Sequence, residues 1–494
     1  MKNLISIRTL VGSLSLWERV RVRAAGRKNI NSDPLSSSSF APRPGPLPKG
    51  EGARNRFSTA AVVLLLLSGS TALAQETDKI DASLTNTPLP TYVIRNARIV
   101  TVSGADIENG MLVISDGRIA AVGANVTVPG SAQEIDGRGL IVYPGMIDLA
   151  TSMALVEVGT GAPGTVDTQE LGDMNPNISA VWAVNPHSAH IAVTRVAGVT
   201  NALSGPSGGV ISGQAAFVNL LGSSPREMAL IPEAALVVQF PRIGGGGFGQ
   251  QTVTPEAITQ RDRRIEELRK IFRDAEAYGR AQDAYRKDPR SVPRPAIDPK
   301  LAALVPYARG ERPVIFRAER DREMRAVIRF AEELKLKPII LGASEGWKIA
   351  SFLKEKNVPV ILDSVLNLPL REDDAYDSLY ENASKLQAAG VRFAISTGDS
   401  GAHVRDLPFQ AGMAAAYGLP KAEALKSVTL YPAQIMGVSD RLGSIEAGKL
   451  ANLVIADGDI LEARTNVRHL FIGGRQLPLT SRHTQLNDQF KNRQ

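Results

Sequence analysis

The feature that most restricts this fold is a series of short β-branched runs along the middle of the chain, separated by helical periodicities. The candidate strands fall at residues 200–203, 235–238, 313–316, 338–341, 358–362 and 392–396. Several are flanked by helical patterns, as the buried strands of a parallel sheet are. Between two of them, residues 323–334 set Met324, Val327, Ile328, Phe330 and Ala331 on one helical face. A longer helix is predicted over 255–286, with Ile265, Leu268, Phe272, Ala275 and Tyr278 at three- and four-residue steps and a solvated Arg/Glu/Asp face. Strand and helix alternating over 144–439 predict an α/β chain built on a (β/α)8 TIM-like barrel. In such a barrel the chemistry sits at the C-terminal ends of the strands.

The flanks read differently. Within 91–143 the pattern has a period of two, and Asp116-Gly117 between alternating apolar runs is a strong hairpin signal. A similar patch returns at 451–456 and 467–472, ahead of Gly473-Gly474-Arg475. A small composite β-sandwich is therefore expected from 91–143 and 440–480, with a linker at 75–90 and a polar tail at 481–494.

The net charge of +7 suggests a polyanion partner until it is divided along the chain. Residues 1–74 hold 11 Lys and Arg against 3 Asp and Glu, leaving 46 against 47 in the rest. The body thus gives no charge argument for nucleic acid. Arg54 and Arg56, the apolar run centred on 61–67, and Ala72-Leu73-Ala74 form the n-region, h-region and cleavage site of a signal peptide over 53–74. Export to the periplasm and a mature start at Gln75 are expected, with no stable membrane anchor after cleavage, because the run is too short to span a bilayer. Residues 1–53 fit no signal peptide and read as sequence upstream of the true start. The absence of Cys excludes disulfides, thiolate catalysis and Cys-based metal sites.

Two phrases carry a family likeness. Tyr143-Pro144-Gly145-Met146-Ile147-Asp148 follows the first β patch, and Gly443-Ser444-Ile445-Glu446-Ala447-Gly448-Lys449-Leu450-Ala451-Asn452-Leu453-Val454 opens the second. In this order and at this distance they resemble the amidohydrolase superfamily, in particular its imidazolonepropionase-like and prolidase-like exported members. Gly198-Val199-Thr200, residues 208–214, Glu345-Gly346-Trp347-Lys348 and residues 431–437 add to the likeness, which covers about 91–476. It implies a metal-bearing barrel, closed by a composite sandwich, that hydrolyses C–N bonds.

The family's metal ligands find little match here. Two imidazoles that follow the Pro-Gly-x-Ile-Asp phrase correspond to Ala150 and Ser152, a third to Arg317 and a fourth to Gly342; only Asp399 matches the family's last ligand. These five positions are the expected pocket residues. A catalytic zinc takes about three protein ligands, so no metal cofactor is expected, and zinc returns only if the ligands are misassigned. Arg317 is expected to pair with Asp399 beside the vacated site, the alternative being an arginine that snorkels to the barrel mouth.

Other residues compete for a role. Asp399 and His403 are the expected catalytic pair should chemistry remain, with Asp406 close by. His187 and His190 share a helical spacing but are expected to lie away from the catalytic face. Gly-x-Ser-x-Gly occurs around Ser207, where it leads into no helical pattern and reads as a loop lining the pocket, and around Ser344, where it follows a predicted strand, with Asp399 and His403 later in the order of a triad. The glycine run 244–249 reads as a loop, since no Gly-Lys-Ser/Thr follows it. The leading expectation is a metal-free degenerate homologue that binds a small molecule in the barrel mouth, or that pairs with an active paralogue or with itself. An active C–N hydrolase is the alternative, and a purely structural protein comes third.

Overall fold

The computed structural model describes residues 87–159, 163–243, 254–363, 365–371, 373–398 and 401–493. The expected leader, the glycine run 244–249 and Asp399 lie outside the described residues. Among those described, no helix is long and apolar enough to cross a membrane.

Near the start are β1 (Tyr92–Ile99), β2 (Ile107–Ser115), β3 (Arg118–Gly123), β4 (Gln133–Asp136) and β5 (Ile141–Pro144). The barrel strands follow: β6 (Met146–Thr151), β7 (Val199–Ser204), β8 (Ile211–Asn219), β9 (Ala229–Gln239), β10 (Pro313–Ala318), β11 (Lys337–Gly342), β12 (Val360–Leu362) and β13 (Phe393–Ile395). Last come β14 (Leu453–Ala456), β15 (Val467–Ile472) and β16 (Arg475–Leu477).

The first and last groups form one sheet in the order β16-β15-β14-β5-β1-β2-β3, with β4 beside β1. Pairing of β14 with β5, from Leu453 opposite Pro144 to Ala456 opposite Ile141, joins the two ends of the chain. The Asp116-Gly117 hairpin is held against the second phrase as well, since Ile119 N donates to Lys449 O and Ala451 N to Gly117 O.

The barrel strands neighbour one another in chain order, and each side of the wall has its own apolar set. Ile315, Ile339, Leu341, Ile361 and Ala394 pack inside. Phe316, Ile340, Val360, Phe393 and Ile395 pack outward in the core shared with the helices, among them the faces of Asp321–Leu334 and Pro255–Lys287. Strands buried on both faces explain why these runs are apolar at nearly every position.

One barrel strand was not foreseen. β8 runs antiparallel to both β7 and β9, so seven strands run one way and one the other. The segment between β7 and β8 is too short to hold a crossover helix, and the chain can only turn back. Helix Pro299–Ala308 reaches β8, its Tyr307 hydroxyl donating to Gln214 Oε1 at 2.8 Å.

The barrel closes between β6 and the end of β13 through side chains. Ser396 Oγ accepts from Leu149 N at 2.9 Å, and Asp148 Oδ2 accepts from Thr397 N at 3.2 Å and Thr397 Oγ1 at 2.5 Å. Asp148 is fully buried. Gly145 in the opening phrase is needed because any Cβ there would run into the Thr200 side chain on β7.

An asparagine network fastens the barrel to the composite sheet. Asn452 Nδ2 donates to Asn201 Oδ1 at 2.9 Å and Asn219 Oδ1 at 3.0 Å, while its Oδ1 accepts from Gly473 N at 2.8 Å. Asn452 and Asn201 are buried, so these bonds have little water to replace them. Asn452→Ala is expected to cost about 3 kcal/mol, from three lost bonds and an orphaned Gly473 amide. Chemical denaturation checks it; a loss under about 0.5 kcal/mol, the range of a neutral surface change, would contradict this role.

Candidate functional site at the barrel mouth

A cavity of about 320 Å³ opens at the C-terminal strand ends. Its apolar part is the top of the barrel interior, Leu149, Leu203, Val237, Ile315 and Leu341. Its polar part is Thr151, Ser152, Thr168, Ser207, Gln239 and Arg317, the one charged side chain among the described lining residues. Of the expected pocket residues, Ala150, Ser152 and Arg317 line this space, as does Gly398, next to the undescribed Asp399.

Arg317 ends β10 between two carboxylates. Its Nη2 donates to Asp363 Oδ2 at 2.6 Å and its Nη1 to Glu319 Oε1 at 3.1 Å. Asp363 follows β12 and its side chain is 4% exposed, against 31% for Arg317. Burial pulls the guanidinium pKa down, but the two neighbouring carboxylates outweigh it and raise it above the ordinary value, so Arg317 is a fixed cation. The expected partner Asp399 is outside the described residues; the partners found are Asp363 and Glu319. Sequence reading missed both, although each sits at or just past a strand end.

Gly342 does not line the cavity. It takes φ +104, and a Cβ there would stand 2.5 Å from the Glu319 carboxylate, so the glycine makes room for Glu319. Ser344 donates to Glu319 Oε2 at 2.8 Å and belongs to the same cluster. His403 lies exposed on the turn Gly401–Asp406 and does not line the cavity.

His190 corrects an expectation. Its Nε2 meets Glu157 O at 3.1 Å, in the loop after β6, and its Cβ lies beside Gly401 after β13. It is therefore on the side of the strand C-terminal ends. Barrel helices run opposite to the strands, which puts the first turn of helix Ala189–Arg195 level with the strand C-termini. His187, three residues earlier, is exposed, and its amide donates to Asn185 Oδ1 at 3.0 Å.

Asp148 lies just below the mouth. Burial pushes its carboxyl up to about 6, against the pull of hydrogen bonds from Thr397 and Ala150. Among the described residues no three His, Cys, Asp or Glu side chains are grouped so as to hold a metal ion. Ser152 offers one hydroxyl, Ala150 none, and Arg317 a cation, so the described mouth does not fit a zinc-type ion.

Residues 348–477 match the amidohydrolase family. Over 37 residues the chain is 54% identical to N-acetylglucosamine-6-phosphate deacetylase of Haemophilus influenzae, 8% of this chain and 10% of that protein. Over 79 residues it is 37% identical to a dihydroorotase-like protein of Pseudomonas aeruginosa, 16% of this chain and 18% of that one. The matched segments thus span less than a fifth of either relative. An amidohydrolase structure from Thermotoga maritima superposes with a TM-score of 0.69 at 24% identity, over 78% of this chain and 99% of that one. With its barrel and its second sheet, this chain is an amidohydrolase-fold protein whose residues 348–477 match the amidohydrolase family.

Proposed function

We propose that the barrel mouth binds a small organic molecule and that an internal ion cluster, Arg317 with Glu319 and Asp363, takes the place of a hydrolytic metal. The observation that carries this reading is the doubly anchored guanidinium at the end of β10, lining the cavity. The guanidinium already answers the Glu319 and Asp363 carboxylates at these strand ends, so both acids are engaged by a cation within the protein. The cavity supports a ligand with an apolar body, for Leu203, Val237 and Ile315, and hydrogen-bonding edges for Ser152, Ser207 and Gln239. Its volume of about 320 Å³ is at the small end for such sites. In this reading the protein is a degenerate homologue of the C–N hydrolases.

Elemental analysis of protein grown with excess zinc, manganese and iron is expected to return well under one ion per chain. Stoichiometric metal, together with amide hydrolysis abolished by a chelator, would replace this reading with a working hydrolase.

A further inference from the structure

At the opposite end of the barrel a second cavity, of about 260 Å³, opens where the chain enters β12 and β13. Lys354 and Arg392 line it, and neither has an ion-pair or hydrogen-bond partner for its side chain among the described residues. The side-chain amides of Asn357, Gln387 and Gln434 border the same hollow, and they too have no partner among the described residues. Glu423, the acid in the lining, is already engaged: Lys426 Nζ lies 2.9 Å from it and the Tyr431 hydroxyl donates to it. Burial raises the carboxyl's pKa, but those two donors outweigh it and hold Glu423 below its ordinary value, as a carboxylate whose charge is answered within the protein.

The charge facing the hollow is therefore positive and uncompensated, beside three amides that can donate. Leu353, Val358 and Phe393 are buried beneath it and give it an apolar floor. Lys354 is also positioned: its Nζ lies within 3.6 Å of where a Cβ on Gly390 would be, at the C-terminal turn of helix Ser378–Ala388. Carbonyls at a helix end favour a cation there. Concavity, an apolar floor and a few converging polar groups are the ordinary makings of a small-ligand site.

We infer that this basal cavity is a second binding site, for a small organic oxyanion bearing a carboxylate or a phosphate. Lys354 and Arg392 meet its charge and the amides of Asn357, Gln387 and Gln434 its remaining oxygens. The site is separate from the mouth and does not rest on the function proposed for it.

Calorimetric titration of the purified protein at low ionic strength, with inorganic phosphate in one arm and succinate in the other, tests this. At least one is expected to bind once per chain with a Kd of about 1 mM or tighter. The double change Lys354→Ala and Arg392→Ala should weaken that binding at least tenfold; both residues are exposed, so the fold should tolerate it. Ser152→Phe, which fills the mouth, should leave it unchanged. Binding in the phosphate arm alone would assign a phosphate ligand and in the succinate arm alone a carboxylate. No binding in either arm, binding indifferent to the double change, or binding lost in Ser152→Phe would each overturn the inference.

Discussion

Arg317→Ala is expected to cost about 3–5 kcal/mol of folding stability, the range seen when one partner of a buried ion pair is removed. The reason lies in what remains: Asp363, with its side chain 4% exposed, and Glu319, at 14%, lose the cation between them. Asp363→Asn combined with Arg317→Ala should recover much of the loss, because it removes one of the two stranded charges. A coupling of about 2 kcal/mol or more is expected for groups in direct contact. Denaturant midpoints of the wild type, both single variants and the double variant measure it. Losses that simply add would mean that Arg317 is held by solvent at the rim and not by the cluster.

The second large effect depends on pH. The folded-state pKa of Asp148, about 6, lies above its ordinary value of 3.8, so the folded protein holds this proton more tightly than the unfolded chain does. The stabilising contribution is complete below about 3.8 and is lost as the pH rises through about 6, a change of about 3 kcal/mol. Asp148→Asn cannot titrate at this position. Wild type should therefore lose about 3 kcal/mol relative to that variant between pH 3.5 and 7.5. Paired denaturation curves across the range give the difference directly, with the other carboxylates cancelling. A gap that does not change with pH would contradict the burial argument.

The barrel strands were readable because β10, β11 and β12 are apolar on both faces, as their positions between the inner and outer cores demand. β8 was not, since Ser212, Gly213 and Gln214 break any run of apolar residues and Gly208-Gly209 beside them reads as loop. The cavity positions Ala150, Ser152 and Arg317 could be placed because the family resemblance sets them at the positions of its metal ligands. The partners of Arg317 could not: Asp363 is 46 residues away, and only the neighbouring of β10, β11 and β12 brings it within 2.6 Å. His190 differs for another reason: a helix that runs towards the next strand begins level with the strand C-termini, so its first turn lies at the mouth and not away from it.

The reversed strand β8 also bears on the order of assembly. Its pairings with β7 and β9 join residues such as Asn201 and Asn219, or Ala215 and Ala235, close together in the chain. The union of β14 with β5 must instead bring Leu453 to Pro144. Loop-closure entropy makes a span of about 300 residues costlier than one of about 20 by about 2.4 kcal/mol. The β7–β8–β9 meander is thus the cheapest part of the wall to nucleate, and the sheet shared by the two ends of the chain closes late. Until it closes, β5 lacks its β14 neighbour, so an incompletely synthesised chain would present that edge to any other strand it meets.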